Sequence, residues 1–211
     1  MGLPSTWSIV EMTLASVSAR VLRPCLMLLL GLFWIPSALA LTPVIGFELD
    51  RYLGTWYEIA AIPGFLQSRC ARDTRSEYTP AANGAIGVSN RCLRADGTSE
   101  LNESRARALE PSLPSVLKIT SVHFLGIWWY PFGRESIIVA FDPGYRWLAT
   151  GHPSLRYGRI LSREPALSQE ALKSIAATLG DEGFDLCTFV LTPQTGGRDR
   201  PAKLCEVLPA R

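Results

Sequence analysis

From residue 47 to residue 192 the chain is a succession of short segments of β character, each bounded by turn residues. Eight can be read off in order: TWYEIAAI, DTRSEYT, IGVSNRCL, ESRARAL, VLKITSVHF, ESIIVAF, RWLATG and YGRILSR. PAANGA separates the second from the third, and RADGT the third from the fourth. Asn-Gly and Asp-Gly between such runs signal hairpins, because these residues tolerate the left-handed backbone that tight turns require. Regular spacing of this kind predicts an antiparallel sandwich or barrel.

Period-two alternation sorts the faces. In DTRSEYT, Arg75 and Glu77 face water while Thr74, Ser76 and Tyr78 face in. In ESRARAL, Glu103, Arg105 and Arg107 are outside, leaving the small Ser104, Ala106 and Ala108 inside. Small inward residues leave room for a cavity. Alternation alone fits a close-packed sandwich equally well, and both readings stay open here.

One segment has a different period. In LSQEALKSIAATLGDEGF, Leu172, Ile175, Ala176 and Leu179 fall on one helical stripe, with Ser168 as N-cap and Gly180 as the residue that ends the helix. LCTFVLTP follows as a ninth strand, and residues 193–211 read as a polar tail. No internal repeat and no second core are visible.

The first forty residues are a different material. Arg20 and Arg23 precede the apolar CLMLLLGLFWIP, and the small residues Ala38 and Ala40 follow. This is the pattern of a secretory signal peptide over 1–40, cleaved after Ala40, with Met12 as a second candidate start. Cys25 follows Arg-Pro rather than the small and apolar residues that lipidation requires, so the expectation is an exported, non-lipidated protein, periplasmic or envelope-associated. Removing residues 1–40 takes Arg20, Arg23 and Glu11 from 21 basic and 19 acidic residues and leaves a net charge of +1. Such a balance gives no electrostatic footprint for nucleic acid. A composition of 47% hydrophobic and 19% charged residues excludes a disordered chain.

Nothing in the sequence argues for catalysis. The two histidines, His123 and His152, lack the neighbours of a zinc helix, and no Gly-x-Ser-x-Gly elbow or phosphate-cradling loop occurs. Neither an enzyme, a cofactor nor a metal is expected. Four cysteines follow residue 40: Cys70, Cys92, Cys187 and Cys205. An even count in an exported chain implies disulfides. Facing Cys70 with Cys92 sets Tyr78 opposite Gly84 across a loop from Thr79 to Asn83, an ordinary hairpin. This pairing, with Cys187–Cys205 closing the C-terminal segment, is the preferred one; its rival ties Cys70 to Cys205.

Gly54-x-Trp56-Tyr57-Glu58-Ile59-Ala60, led in by DRYLG, resembles the first-strand signature of the lipocalins, in particular the bacterial lipocalins and their relative apolipoprotein D. AFDPGYRWLATG resembles the family's Asp-x-x-Tyr turn, here Asp142 and Tyr145, between the sixth and seventh strands. YGRILSREPALSQEAL is similar to the eighth strand, its terminal Arg163 and the following helix, and NRCLRADGT to the third strand and its turn. The blocks keep the family order from about Phe47 to Thr192. The resemblance implies an all-β fold: an eight-stranded antiparallel up-and-down β-barrel (calyx), closed at one end, with one C-terminal α-helix packed outside and a short ninth strand. It implies a lipocalin domain over 41–211 with its barrel core at about 47–192. It also implies binding of a small hydrophobic or amphiphilic ligand, of the fatty-acid or lysophospholipid class. Trp56 would plug the closed end beneath Arg163, so Gly54, Trp56, Asp142, Tyr145 and Arg163 are structural residues. A few relatives catalyse, so a lipocalin-fold enzyme acting on a lipid or pigment is one alternative, and an envelope interaction protein using its aromatic rim, with an empty barrel, is another.

Alternation from Trp56 carries Glu58 and Ala60 inward, and alternation back from Arg163 carries Leu161 and Arg159 inward. With Tyr78, Val88, Asn90, Ala106, Ile119 and Val139 these are the candidate ligand-binding residues. Arg159 departs from the family, whose members usually have a large apolar residue there. A buried Arg needs a partner; Glu58 could supply it, or Arg159 could receive a ligand's carboxylate or phosphate, and an Arg159 turned outward to solvent is an equally open reading. HFLGIWWYPFGRES departs as well, with Trp128, Trp129, Tyr130 and Phe132 in quick succession. Aromatics at a barrel rim suit a lipid-headgroup boundary, a ligand lid or a second subunit, so the sequence allows peripheral membrane contact and a homodimer.

Overall fold

A computed structural model describes residues 41–64 and 67–208 of the protein. The expected signal peptide at 1–40, with Cys25, lies outside the described residues. After a short helix α1 (Leu49–Tyr52) come β1 (Gly54–Ala61), β2 (Arg72–Pro80), β3 (Ile86–Leu93), β4 (Ser99–Ala108) and β5 (Val116–Thr120). A small hairpin, β6 (His123–Phe124) and β7 (Ile127–Trp128), interrupts the meander before β8 (Arg134–Phe141), β9 (Trp147–Gly151) and β10 (Gly158–Ser162). Helix α2 (Gln169–Asp181), β11 (Val190–Leu191) and helix α3 (Leu204–Val207) complete the chain. Strands β1 to β5 and β8 to β10 pair antiparallel in sequence order, and β10 pairs back onto β1. The sheet thus closes into an eight-stranded up-and-down barrel, with β11 added outside against the second half of β1.

Alternation holds where the strands are regular. Thr74, Ser76 and Tyr78 are buried while Arg75 and Glu77 are exposed; Ser104 and Ala106 are buried while Glu103 and Arg107 are exposed. The hairpin register differs from the expectation: Tyr78 pairs with Val88, not Gly84. Cys70 sits before β2 begins, and a bulge between Arg72 and Arg75, with Asp73 at φ 56°, takes up further residues. Counting from the cysteines therefore misplaces the strand. The loop, residues 81–85, keeps the expected length but starts two residues later. Both disulfides, Cys70–Cys92 and Cys187–Cys205, are present, with Cα–Cα separations of 5.6 and 5.0 Å.

Helix α2 packs Leu172, Ile175, Ala176 and Leu179 onto the barrel's outer surface at Ile59, Ala149 and Ile160. Burying each of the large aliphatic side chains contributes about 1.5–3 kcal/mol. Ser168 caps the helix as expected, its Oγ accepting from the Ala171 amide at 3.1 Å. The stop is not Gly180, which lies inside the helix, but Gly183 at φ 88°. Its amide donates to the Gly180 carbonyl and the next amide, Phe184, donates to Leu179 at 2.9 Å, so buried Phe184 fixes the helix end by packing.

Two expected strands are shortened. VLKITSVHF leaves the barrel after Thr120, because β6 turns away to pair with β7. LCTFVLTP spends Leu186–Thr188 as a turn of 3₁₀ helix and keeps only Val190–Leu191 as β11. The following residues are also not a free polar tail. Gln194 is buried and its Nε2 donates to the carbonyls of Glu58 and Thr74, bridging β1 and β2 where the Asp73 bulge parts them.

Candidate ligand-binding site

The closed end of the barrel is an aromatic plug. Trp56 is fully buried and donates from Nε1 to the Tyr52 carbonyl at 2.8 Å. The Arg163 guanidinium lies 3.8 Å above its ring and donates to the carbonyls of Arg51, Leu53 and Thr55, each at 2.8 Å. Gly54 adopts φ 93°, and a Cβ there would stand 3.3 Å from Arg163 Nη1. The positive φ favours glycine, and the close approach of Arg163 adds to that preference. On the neighbouring turn Asp142 accepts two bonds from Arg146, at 2.9 and 2.7 Å, and these hold its carboxyl below the usual carboxylate range. Tyr145, at φ 57°, accepts from the Glu48 amide at 2.6 Å through its hydroxyl and packs on Phe47 and Phe141.

Above this plug the barrel holds a cavity of about 530 Å³. Tyr78, packed at a tilt against Tyr52 with ring centroids 4.2 Å apart, forms its base together with Glu58 and Arg159. Glu58 is only 1% exposed. Its Oε2 accepts from Arg159 Nε at 2.8 Å and its Oε1 from Thr192 Oγ1 at 3.0 Å. Arg159 Nη2 donates to Ser76 Oγ at 2.9 Å, and Ser76 donates to Asn90 Oδ1 at 2.6 Å. Burial alone would pull the guanidinium's pKa down, but Glu58, with Tyr78 and Tyr52 behind it, more than offsets this and holds it above its ordinary value. Burial, with Tyr78 alongside, pushes the Tyr52 phenol well up. Farther up the wall Ser104 Oγ bonds Ser121 Oγ at 2.7 Å and reaches Asn102 Oδ1 at 3.3 Å. Ile62, Val88, Ile119 and Val122 give the apolar part of the lining.

The candidate residues separate into three groups. Glu58, Tyr78, Val88, Asn90, Ile119 and Arg159 line the cavity. Ala106 and Leu161 point into the barrel but are packed within the plug below it. Ala60 and Val139 face the other way. Both belong to the layer under α2, because the register of β1 against β10 slips between Glu58 and Ala60, and that of β8 against β9 between Ile138 and Ala140. Each slip inserts a residue and reverses the facing beyond it. Ala60 therefore pairs with outward Ile160, while Ile138 is the inward residue of β8. Thr74, Asn102, Ser104, Ser121 and Thr150 join the lining. Continued alternation on β2 and β4 reaches Thr74, Asn102 and Ser104. Thr192, which orients Glu58, had no signal, because β11 is too short to show a period.

The mouth carries the aromatic cluster. Leu125 and Gly126 turn the β6–β7 hairpin with φ of 51° and 77° and expose Phe124, Leu125 and Ile127, with Leu125 81% open. Trp129 and Phe132 are exposed, while Trp128 and Tyr130 are partly covered. Arg105 lies 5.6 Å from the Trp128 ring and Arg107 4.2 Å from that of Tyr130. The Cys70–Cys92 disulfide lines the mouth opposite. Among the described residues no group of acidic, His or Cys side chains could hold a metal ion, and no buried side-chain polar atom lacks a partner.

The lipocalin-like domain family model matches residues 47–194. The chain is a lipocalin. It is 31% identical over 153 residues to temperature-induced lipocalin-1 of Arabidopsis thaliana, covering 71% of this chain and 81% of that one. Over 156 residues it is 31% identical to the outer membrane lipoprotein Blc of Escherichia coli K12, covering 74% and 84% of the two chains. Apolipoprotein D of Rattus norvegicus is 27% identical over 158 residues, 72% of this lipocalin and 80% of the relative. Among solved structures, insecticyanin of the tobacco hornworm Manduca sexta superposes with a TM-score of 0.57 at 19% identity, covering 76% of this lipocalin and 90% of that chain. The cockroach allergen Per a 4 gives 0.57 at 17% identity, with 73% and 92% covered. These two likenesses concern the fold. Membership of a family of binding and transport proteins agrees with a barrel built around a cavity.

Proposed function

We propose that this lipocalin is an exported carrier that holds or transports a small single-chain amphiphile and performs no chemistry of its own. The observation that carries this reading is the cavity of about 530 Å³, open at the mouth, with apolar Val88, Ile119 and Val122 on its wall and a polar base at Arg159. Such sites bury most of a ligand's apolar surface and fix it with a few polar groups. The relative from Escherichia coli is by name an outer membrane lipoprotein, which supports an envelope location. Among the described residues no helix is long and apolar enough to cross a membrane. The test is displacement of the neutral fluorophore N-phenyl-1-naphthylamine by medium-chain amphiphiles. Ile119→Trp, which narrows the cavity, should weaken probe binding while leaving the thermal transition in place; native protein that binds no probe contradicts the reading.

The β6–β7 hairpin favours a lipid surface as the place of loading. Its tip is apolar, while Arg105 and Arg107 stand behind it on Trp128 and Tyr130, an arrangement suited to an anionic headgroup layer. Leu125→Asp with Ile127→Asp should release the protein from phosphatidylglycerol-containing vesicles in co-sedimentation. If instead those changes only dissociate a dimer and vesicles never bind, the tip is a self-contact.

A further inference from the structure

The base of the cavity is charged yet balanced. Arg159 keeps 23% of its side-chain surface open, and that surface faces the cavity, whereas Glu58 behind it is 1% exposed. The bonds to Glu58 and Ser76 leave further N–H donors of the guanidinium for a ligand. A ligand thus meets donors from Arg159 whose positive charge Glu58 already neutralises at 2.8 Å. Resting on the carrier reading above, we infer that Glu58 is a specificity-determining residue: the barrel selects amphiphiles whose buried end is polar but uncharged, such as an alcohol, amide or glyceryl ester, over the free carboxylate of the same chain.

Both orientations of a fatty acid are disfavoured by the same pair. Head-down, the carboxylate gains Arg159 but stands close to buried Glu58, and like charges in a poorly hydrated site repel strongly. Its own desolvation is also costly. Tail-down, a methyl end covers the open donors of Arg159 and leaves them without water or an acceptor. A hydroxyl or amide oxygen accepts from Arg159 with neither cost. The next polar group, Asn90, holds its Oδ1 toward Ser76, which leaves its amide N–H₂ as a second donor on the same wall. The other charged or titratable groups lining the cavity, Arg91, Glu100, Arg134, Glu135 and His152, come from the strand ends and the loop at the mouth.

Three matched probes decide it: dodecanol, dodecanamide and dodecanoate, each displacing N-phenyl-1-naphthylamine from the native protein at pH 8. The alcohol and amide should bind at least ~10-fold more tightly than the carboxylate, a gap of about 1.4 kcal/mol. Lowering the pH toward the acid's own ionisation should strengthen dodecanoate binding and leave the alcohol unchanged, a readout that needs no variant. Glu58→Gln removes the negative charge at nearly constant shape and should close or reverse the gap. Equal or tighter binding of dodecanoate by the native protein overturns the inference, as does an unaltered gap in a folded Glu58→Gln protein. If none of the three displaces the probe, the carrier reading fails first and this one with it.

Discussion

Arg163 lies 3.8 Å above the ring of Trp56 and closes the floor of the barrel with three hydrogen bonds to main-chain carbonyls. A cation over an indole gains about 0.5–2 kcal/mol, and each charge-assisted bond about 1.5–3 kcal/mol. Replacing Arg163 by Ala uncovers the ring and strips three carbonyls at once. Because two of the three carbonyls are exposed and can turn to water, the contributions do not simply add, and urea unfolding should show a loss of about 3–5 kcal/mol. Arg163→Lys should recover less than half, because an ammonium has neither the plane nor the fork of a guanidinium.

Gly54 answers to the same residue. Its φ of 93° is strained for any side chain, and a Cβ would press on Arg163 Nη1 at 3.3 Å. Gly54→Ala is expected to lower stability by about 1–3 kcal/mol, read as a lowered midpoint at unchanged m-value. An equally stable variant would show that the first strand has room to relax.

Acid should weaken the turn at Asp142. Its carboxyl lies below the usual range, chiefly through the two bonds from the Arg146 side chain. A depressed folded pKa means that the stabilisation is complete above the unfolded value of about 3.9 and is lost as pH falls through the lower folded value. Asp142→Asn should flatten that acidic part of the stability profile and leave its slope near neutrality unchanged.

The disulfides bear on stability through the unfolded chain. Cys70–Cys92 spans 22 residues and Cys187–Cys205 spans 18, loops whose closure is worth about 3 kcal/mol each. Cys70→Ser with Cys92→Ser should lower the unfolding free energy by about that amount and loosen the mouth. The position of Arg159 at the base should remain, since its bonds to Glu58 and Ser76 involve neither cysteine.

Much of this arrangement is legible in the sequence, and the exceptions share a cause. Alternation places Thr74, Ser76 and Tyr78 inward, and the step back from Arg163 reaches Arg159, so the pair with Glu58 follows from counting by two. The count fails at Ala60 and Val139 because each lies at a one-residue slip, and alternation contains no mark of where a strand gains a residue. Gly180 misleads as a helix stop because Gly183, followed by an apolar Phe184, offers the chain a better-buried end. The contribution of Thr192 and Gln194 is long-range: they join β1 and β2 from more than a hundred residues away, across a gap that only the Asp73 bulge creates.

The most direct measurement is native mass spectrometry of the protein purified without detergent, followed by extraction and identification of what it carries. A barrel that works as a carrier should retain one small amphiphile per chain, and Ile119→Trp, which narrows the cavity, should retain less of it while remaining folded. A protein that emerges empty in both forms, and takes up no amphiphile when offered one, would contradict that claim.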